Sequence, residues 1–243
     1  VFGHPAIHIS DRKKEVDLNT IFIDIGASSK EDVAKMGIKV GTVVTFKDEL
    51  MELGKDYYSC RALDHRIGSF MIAEVARKLK EKGKKLPFKL YIVNSVQEEI
   101  GLRGAEMIAH TIKPNVAIIT DVCHETSSPC YTASKQGDHI AGDGGVITRG
   151  PAVHNKLRKL ILDTAEAKKI PHQLAASSRS TGTDTDAFAY ANGGTPSALI
   201  SLPLKYMHTT CETVHKEDIK NVIELIYETL LNIEENHNFK YNS

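Results

Sequence analysis

Lys89-Leu90-Tyr91-Ile92-Val93-Asn94-Ser95-Val96, then Glu106 to His110, then Val116-Ala117-Ile118-Ile119: this passage of the 243-residue sequence decides its fold class. The two apolar runs are rich in β-branched residues and have strand length, and the stretch between them predicts a short helix. Strands separated by covering helices predict a largely parallel sheet buried on both faces. The pattern repeats outward from this passage. Residues 66–80 carry Ile67, Met71, Val75 and Leu79 at helical spacing, and residues 154–168 place Leu157, Leu160, Ile161 and Ala165 on one helix face. Ala198-Leu199-Ile200-Ser201-Leu202 reads as a strand, and residues 217–235 predict a long final helix with Ile219, Val222, Ile223, Ile226, Leu230 and Ile233 inward. The expected fold class is α/β, a mostly parallel mixed sheet flanked by helices.

Residues 1–57 read differently from residues 58–243. Thr20-Ile21-Phe22-Ile23 and Gly41-Thr42-Val43-Val44-Thr45-Phe46 are short β-type runs. Between them Ser28 and Glu31 have capping-box spacing ahead of a short helix that Gly37 ends. This stretch holds too little apolar material for its own core and is expected to be part of a small β-rich domain. The main α/β domain then spans 58–243.

Lys+Arg and Asp+Glu both number 31, which leaves no net field to favour nucleic acid or an anionic membrane. No apolar run reaches the roughly 18 to 20 residues that span a bilayer. Cys60, Cys123, Cys130 and Cys211 form no CxxC pair and are expected to be free thiols in a reducing cytoplasm. Val1 is not an initiator Met, so the sequence is expected to begin in mid-protein.

Chemistry-bearing residues gather at strand ends. Glu98-Glu99 follow the strand ending at Val96, and Asp121 follows the strand ending at Ile119. His208 lies just beyond the strand at 198–202, and Asp64 precedes the helix that starts near Arg66. Ligands of open α/β sheets collect outside the carboxyl ends of the strands, so these elements deliver Glu, Asp and His to one edge. Carboxylate oxygen with imidazole nitrogen suits zinc, cobalt or manganese, and one carboxylate can bridge two ions. Two ions about 3.5 to 4 Å apart can clamp both an attacking water and the carbonyl it attacks. An adjacent Glu pair can divide metal ligation from proton transfer. Each residue alone has a plainer reading: a solvated Glu pair, a turn Asp, a surface His. There is no HExxH-type signature.

Arg61-Ala62-Leu63-Asp64-His65-Arg66-Ile67-Gly68, Val96-Gln97-Glu98-Glu99-Ile100-Gly101-Leu102-Arg103-Gly104-Ala105, Thr120-Asp121 and Leu204-Lys205-Tyr206-Met207-His208-Thr209 resemble the tetrahedral-aminopeptidase family of di-metal peptidases. Ile23-Asp24-Ile25-Gly26-Ala27, Gly37-Ile38-Lys39-Val40-Gly41 and Gly182-Thr183-Asp184-Thr185-Asp186-Ala187 are similar to the same family. The resemblance implies a phosphorylase/hydrolase-like α/β domain carrying an inserted small β-barrel domain, of which residues 1–57 are the remainder. It implies two divalent ions per subunit, zinc or cobalt first and manganese next. Asp64 would bridge them, Glu99 and His208 would complete one site, and Asp121 would serve the other. Glu98 would be the general base, taking a proton from the attacking water. Gly182, Thr183 and Asp184 would shape the substrate pocket, although a Gly-rich turn before a short helix at Asp186 to Ala191 explains them equally well.

The implied activity is removal of N-terminal residues from peptides with free N-termini, by a cytoplasmic homo-oligomer, a dodecamer of dimers in this family. His65 departs from the Asp that many relatives carry there and reads as an outer or surface residue. The family's other metal-binding His comes from a segment ahead of the insert, so it is expected from a part of the polypeptide preceding Val1, along with the first strands of the main sheet. His4 and His8 are read as surface histidines. Rival readings are a di-metal N-acyl amino acid deacylase, a dipeptidase, or a non-catalytic scaffold with an incomplete metal site.

Overall fold

The computed structural model describes residues 2–3, 21–129 and 131–239, which form two compact units, 1–46 and 47–243. In the first, β1 (Phe2–Gly3) pairs antiparallel with β2 (Phe22–Ile23), and α1 (Lys30–Lys35) follows. Its cap is Ser29, one residue later than the expected Ser28, whose hydroxyl accepts the Asp32 N–H at 3.1 Å. Gly37, at φ +77°, takes the left-handed conformation that ends the helix. The run at 41–46 forms no strand. His4, His8, Thr20 and Cys130 lie outside the described residues.

The compact units divide at 46/47, and β3 (Met51–Leu53) pairs with β4 (Tyr57–Cys60) at the edge of the main sheet. After these come α2 (Leu63–Glu81), α3 (Arg103–Ile112), β5 (Ala117–His124), α4 (Ala133–Gln136), β6 (Gly145–Arg149) and α5 (Asn155–Lys168). The chain closes with β7 (His172–Ala176), α6 (Asp184–Ala189), β8 (Ser197–Lys205), β9 (Glu212–His215) and α7 (Lys216–Leu231). The seven-stranded sheet runs β3-β4-β9-β8-β6-β7, with β5 along the other edge of β8.

The α/β class with helices on the sheet faces is as expected, and the sheet is mixed. Parallel pairing does not dominate it: β5·β8 and β6·β7 are parallel, whereas β3·β4, β4·β9, β6·β8 and β8·β9 are antiparallel. Of the antiparallel pairs, β3·β4 and β8·β9 are joined by short connections, which need no crossover helix.

β8 is the centre of the fold, buried from Ser197 to Leu204. Ile200, Leu202 and Leu204 pack with Met71 and Val75 of α2, Leu157 and Ile161 of α5, and Val222 and Leu225 of α7. Leu199 faces the opposite side, with Ile119, with Ala105 and Ala109 of α3, and with Phe188 of α6. Lys89–Val96, expected as a strand, forms no ladder. Among the described residues β5 pairs with β8 alone, and a cavity of 1760 Å³ is lined by residues 116–121 and by residues 87–95. An extended segment without a partner in hydrogen-bond reach is no strand, whatever its β propensity. Among the described residues no helix is long and apolar enough to cross a membrane. Cys60, Cys123 and Cys211 are free thiols.

Candidate metal centre

Three irregular backbone segments deliver the side chains. Ala62 is left-handed, Asp64 and His65 have non-helical dihedrals, the Asp64–His65 peptide is cis, and α2 becomes regular at Arg66. Arg66 pins this turn: its guanidinium donates to Ala62 O at 2.8 Å and Arg61 O at 2.7 Å and pairs with Asp48 at 2.8 Å. The loop from Val96 to Gly104 closes on itself, Leu102 N–H donating to Glu98 O at 2.9 Å and Gly104 N–H to Val96 O at 2.9 Å. Gly104 is required there, since a Cβ on it would lie 2.3 Å from Val96 O. Glu98 and Glu99 ride on this loop. His208 follows β8 at φ +62°.

Asp121 does not sit beyond its strand. It lies inside β5, which runs on to His124 because Val122–His124 pair with Leu202–Leu204 of β8. By alternation it shares a face with Ala117 and Ile119, on the α3 and α6 side.

These segments bring the expected ligands together. His208 Nε2 lies 3.1 Å from Asp64 Oδ2 and 3.3 Å from Glu99 Oε2. Asp64, Glu99 and His208 form one group whose ligating atoms lie within 4.8 Å of one another, and Asp64, His65 and Asp121 form a second. Asp64 belongs to both. Two participants were not anticipated. Glu212, fully buried on β9, accepts the Asp64 N–H at 2.9 Å and the His208 N–H at 2.7 Å, so one carboxylate sets both backbones. His65 was expected outward or in an outer position, yet both its ring nitrogens are shielded from solvent, with the Thr120 backbone beside the ring. The Thr120 backbone favours the charged imidazole slightly, but burial dominates and holds His65 down at about 4.

The electrostatics are those of crowded carboxylates. Burial, then the charges of Glu99 and Glu212, push Asp64 up to about 6 against the pull of His208. Burial and the Glu99, Asp184 and Asp64 charges push Glu98 up to about 6. Burial pushes Asp121 up to about 8, although its Oδ1 accepts the Val122 N–H at 2.7 Å. Asp184, in the first turn of α6, is raised by burial and hydrogen-bonded by the Ser95 hydroxyl; its Oδ1 is buried without a partner. Thr183 caps α6 and Gly182 adopts φ +68°, so both act in the turn, while Asp184 alone of the three lines the cavity with Asp64, Glu98, Glu99 and Asp121. Oxygen and imidazole donors converging on one point, among carboxylates held above their usual range by burial and by one another, fit divalent metal ions.

Residues 1–225 match the M42 glutamyl aminopeptidase family. The chain belongs to that family. The M42 chain is 35% identical to the lysyl aminopeptidase of Pyrococcus furiosus over 228 residues, covering 91% of itself and 62% of that protein. It superposes on the TET aminopeptidase of Thaumarchaeota archaeon SCGC AB-539-E09 with a TM-score of 0.88 and 28% identity, over 97% of itself and 67% of that chain. The Pyrococcus horikoshii TET1 peptidase, described as assembling into a tetrahedron or a large octahedral shell, matches with a TM-score of 0.77 and 28% identity over 92% of this M42 chain and 64% of its own. The chain thus spans under two thirds of the P. furiosus relative's length.

Proposed function

We propose that this M42 chain carries the catalytic part of a metal-dependent aminopeptidase that releases single residues from the free N-termini of peptides. The observation that supports it most is the Asp64, Glu99 and His208 donor group with the uncommitted carboxylate of Glu98 beside it. Asp64 is read as shared between two ions, zinc or cobalt and next manganese, with Glu99 and His208 on one and Asp121 on the other. Bound divalent ions supply Lewis-acid polarisation of the scissile carbonyl and make water more acidic. Glu98 takes the proton of the attacking water and hands it to the leaving amine; an acid raised toward neutrality is suited to both transfers. The surrounding carboxylates attract the substrate's α-ammonium group, which favours exopeptidase action. Asp184, which lines the cavity, bounds the side-chain pocket, and Thr183 and Gly182 shape the turn that carries it. By analogy with the TET relatives the subunit assembles into a closed homo-oligomer, in the cytoplasm.

The test is a peptide amide with a free N-terminus against its acetylated twin. Cleavage of the free form alone is expected, abolished by chelation and reduced at least about a hundredfold in Glu98→Gln at near-normal metal content. Preferred cleavage of the acetylated twin would assign a deacylase instead.

A further inference from the structure

We propose that Asp48 is a positioning residue of the metal centre, acting through Arg66 on the turn that carries Asp64. This rests on the reading of Asp64 as the carboxylate shared by two ions, and adds to it a residue outside the centre's own motifs.

The turn needs to be held from outside. Ala62 sits at φ +51°, a left-handed conformation that crowds its Cβ, and Asp64 at φ −72° and ψ 110° is not helical. Two groups grip this backbone. Glu212 accepts the Asp64 N–H at 2.9 Å, and Arg66 donates from Nε to Ala62 O at 2.8 Å and from Nη2 to Arg61 O at 2.7 Å. A guanidinium fixes two carbonyls only if its own plane is fixed. Asp48 fixes it, taking Arg66 in a fork, Nη1 to Oδ2 at 2.8 Å and Nη2 to Oδ1 at 3.0 Å.

Asp48 is itself anchored to the sheet. Cys60, buried at the end of β4, donates its thiol to Asp48 Oδ1 at 2.8 Å, and Arg61 donates to Oδ2 at 3.2 Å. The Cys60 and Arg66 hydrogen bonds hold the Asp48 carboxyl below its usual range, while burial and Asp48 push the Cys60 thiol up. The acceptor therefore stays charged and the donor stays protonated, as the contact requires. A lysine at 66 would keep the charge and lose the fork. The Arg66 and Asp48 side chains are 53% and 32% exposed, and an exposed pair adds little to global stability. Its effect is local: where the turn sits decides where the Asp64 carboxylate sits.

Asp48→Ala in the full-length protein tests the assignment, with Asp48→Asn as the milder change. Because Asp64 is read as serving both ions, both zinc-binding events are expected to weaken together by at least about tenfold, the scale seen for groups that orient metal ligands. The Co(II)-loaded variant should show altered visible ligand-field bands. In the metal-free variant the amides of residues 61–65 should exchange hydrogen faster, while its Tm stays near that of metal-free wild type. Arg66→Ala should weaken zinc binding as much as Asp48→Ala/Arg66→Ala does, since Asp48 acts through Arg66. Wild-type zinc affinity with an unchanged Co(II) spectrum in Asp48→Ala overturns this proposal alone. Faster exchange throughout the chain with a large fall in Tm also overturns it, since Asp48 would then serve general stability. A wild-type protein that binds no zinc overturns the metal reading with it.

Discussion

At the scale of single residues, Glu212 holds two of the proposed ligands, Asp64 and His208, in register. Its two carboxylate oxygens accept the backbone N–H groups of Asp64 and His208, at 2.9 and 2.7 Å, inside the protein. Glu212→Gln keeps the shape but presents an NH2 to one of those donors. We expect a loss of about 1 to 3 kcal/mol in urea unfolding and roughly 10- to 100-fold weaker zinc binding, both measurable on purified protein. Wild-type zinc affinity in that variant would show the clamp to be irrelevant. Asp64, Glu99 and His208 were legible in the sequence because they lie in distinctive runs at element ends. Glu212 was not: a lone Glu four residues after His208 looks like a surface residue, and its role exists only once β9 pairs with β4 and β8. His65 was misplaced for a related reason, since the room made for it by Gly68 cannot be seen before α2 is coiled.

At the scale of elements, the loop from Val96 to Gly104 is the device that presents Glu98 and Glu99. Gly104→Ala would put a methyl group 2.3 Å from Val96 O, against backbone that has no rotamer to yield. The expected result is a loss of about 1 to 3 kcal/mol together with loss of the ion proposed for Glu99, read by denaturation and elemental analysis. Full zinc content in that variant would mean the loop tolerates the methyl group and is not a rigid presenter. The long helices and β8 were legible because their apolar stripes are strong: Met71, Val75 and Leu79, or Val222 and Ile226, face one core. β4, β7 and β9 were missed because YYSC, HQLAA and ETVH carry little apolar alternation and draw their order from neighbours. Lys89–Val96 failed in the opposite direction, with strong β propensity and no ladder partner among the described residues.

At the scale of the whole molecule, the carboxylate cluster makes stability depend on pH and on metal. Asp121 is raised from 3.8 to about 8, so its contribution is complete below about pH 4 and is lost as pH rises through 8. Asp64 and Glu98, raised to about 6, lose theirs through pH 6. His65, lowered from 6.5 to about 4, acts in the other sense: its contribution is present above 6.5 and is lost as pH falls through 4. Of these four groups Asp121 changes stability most between pH 7 and 8. Chelated protein should therefore lose up to about 1.4 kcal/mol per pH unit there, a few degrees in Tm, and zinc should restore it by stabilising the carboxylate. A Tm that is flat or rising over that range in chelator would contradict the burial of Asp121. The shared role of Asp64 is tested most directly by the zinc content of three purified variants beside the wild type. His208→Ala and Glu99→Ala should each lose one ion of two, and Asp64→Ala should lose nearly all of both. Unchanged zinc stoichiometry in Asp64→Ala would contradict a centre built around that carboxylate.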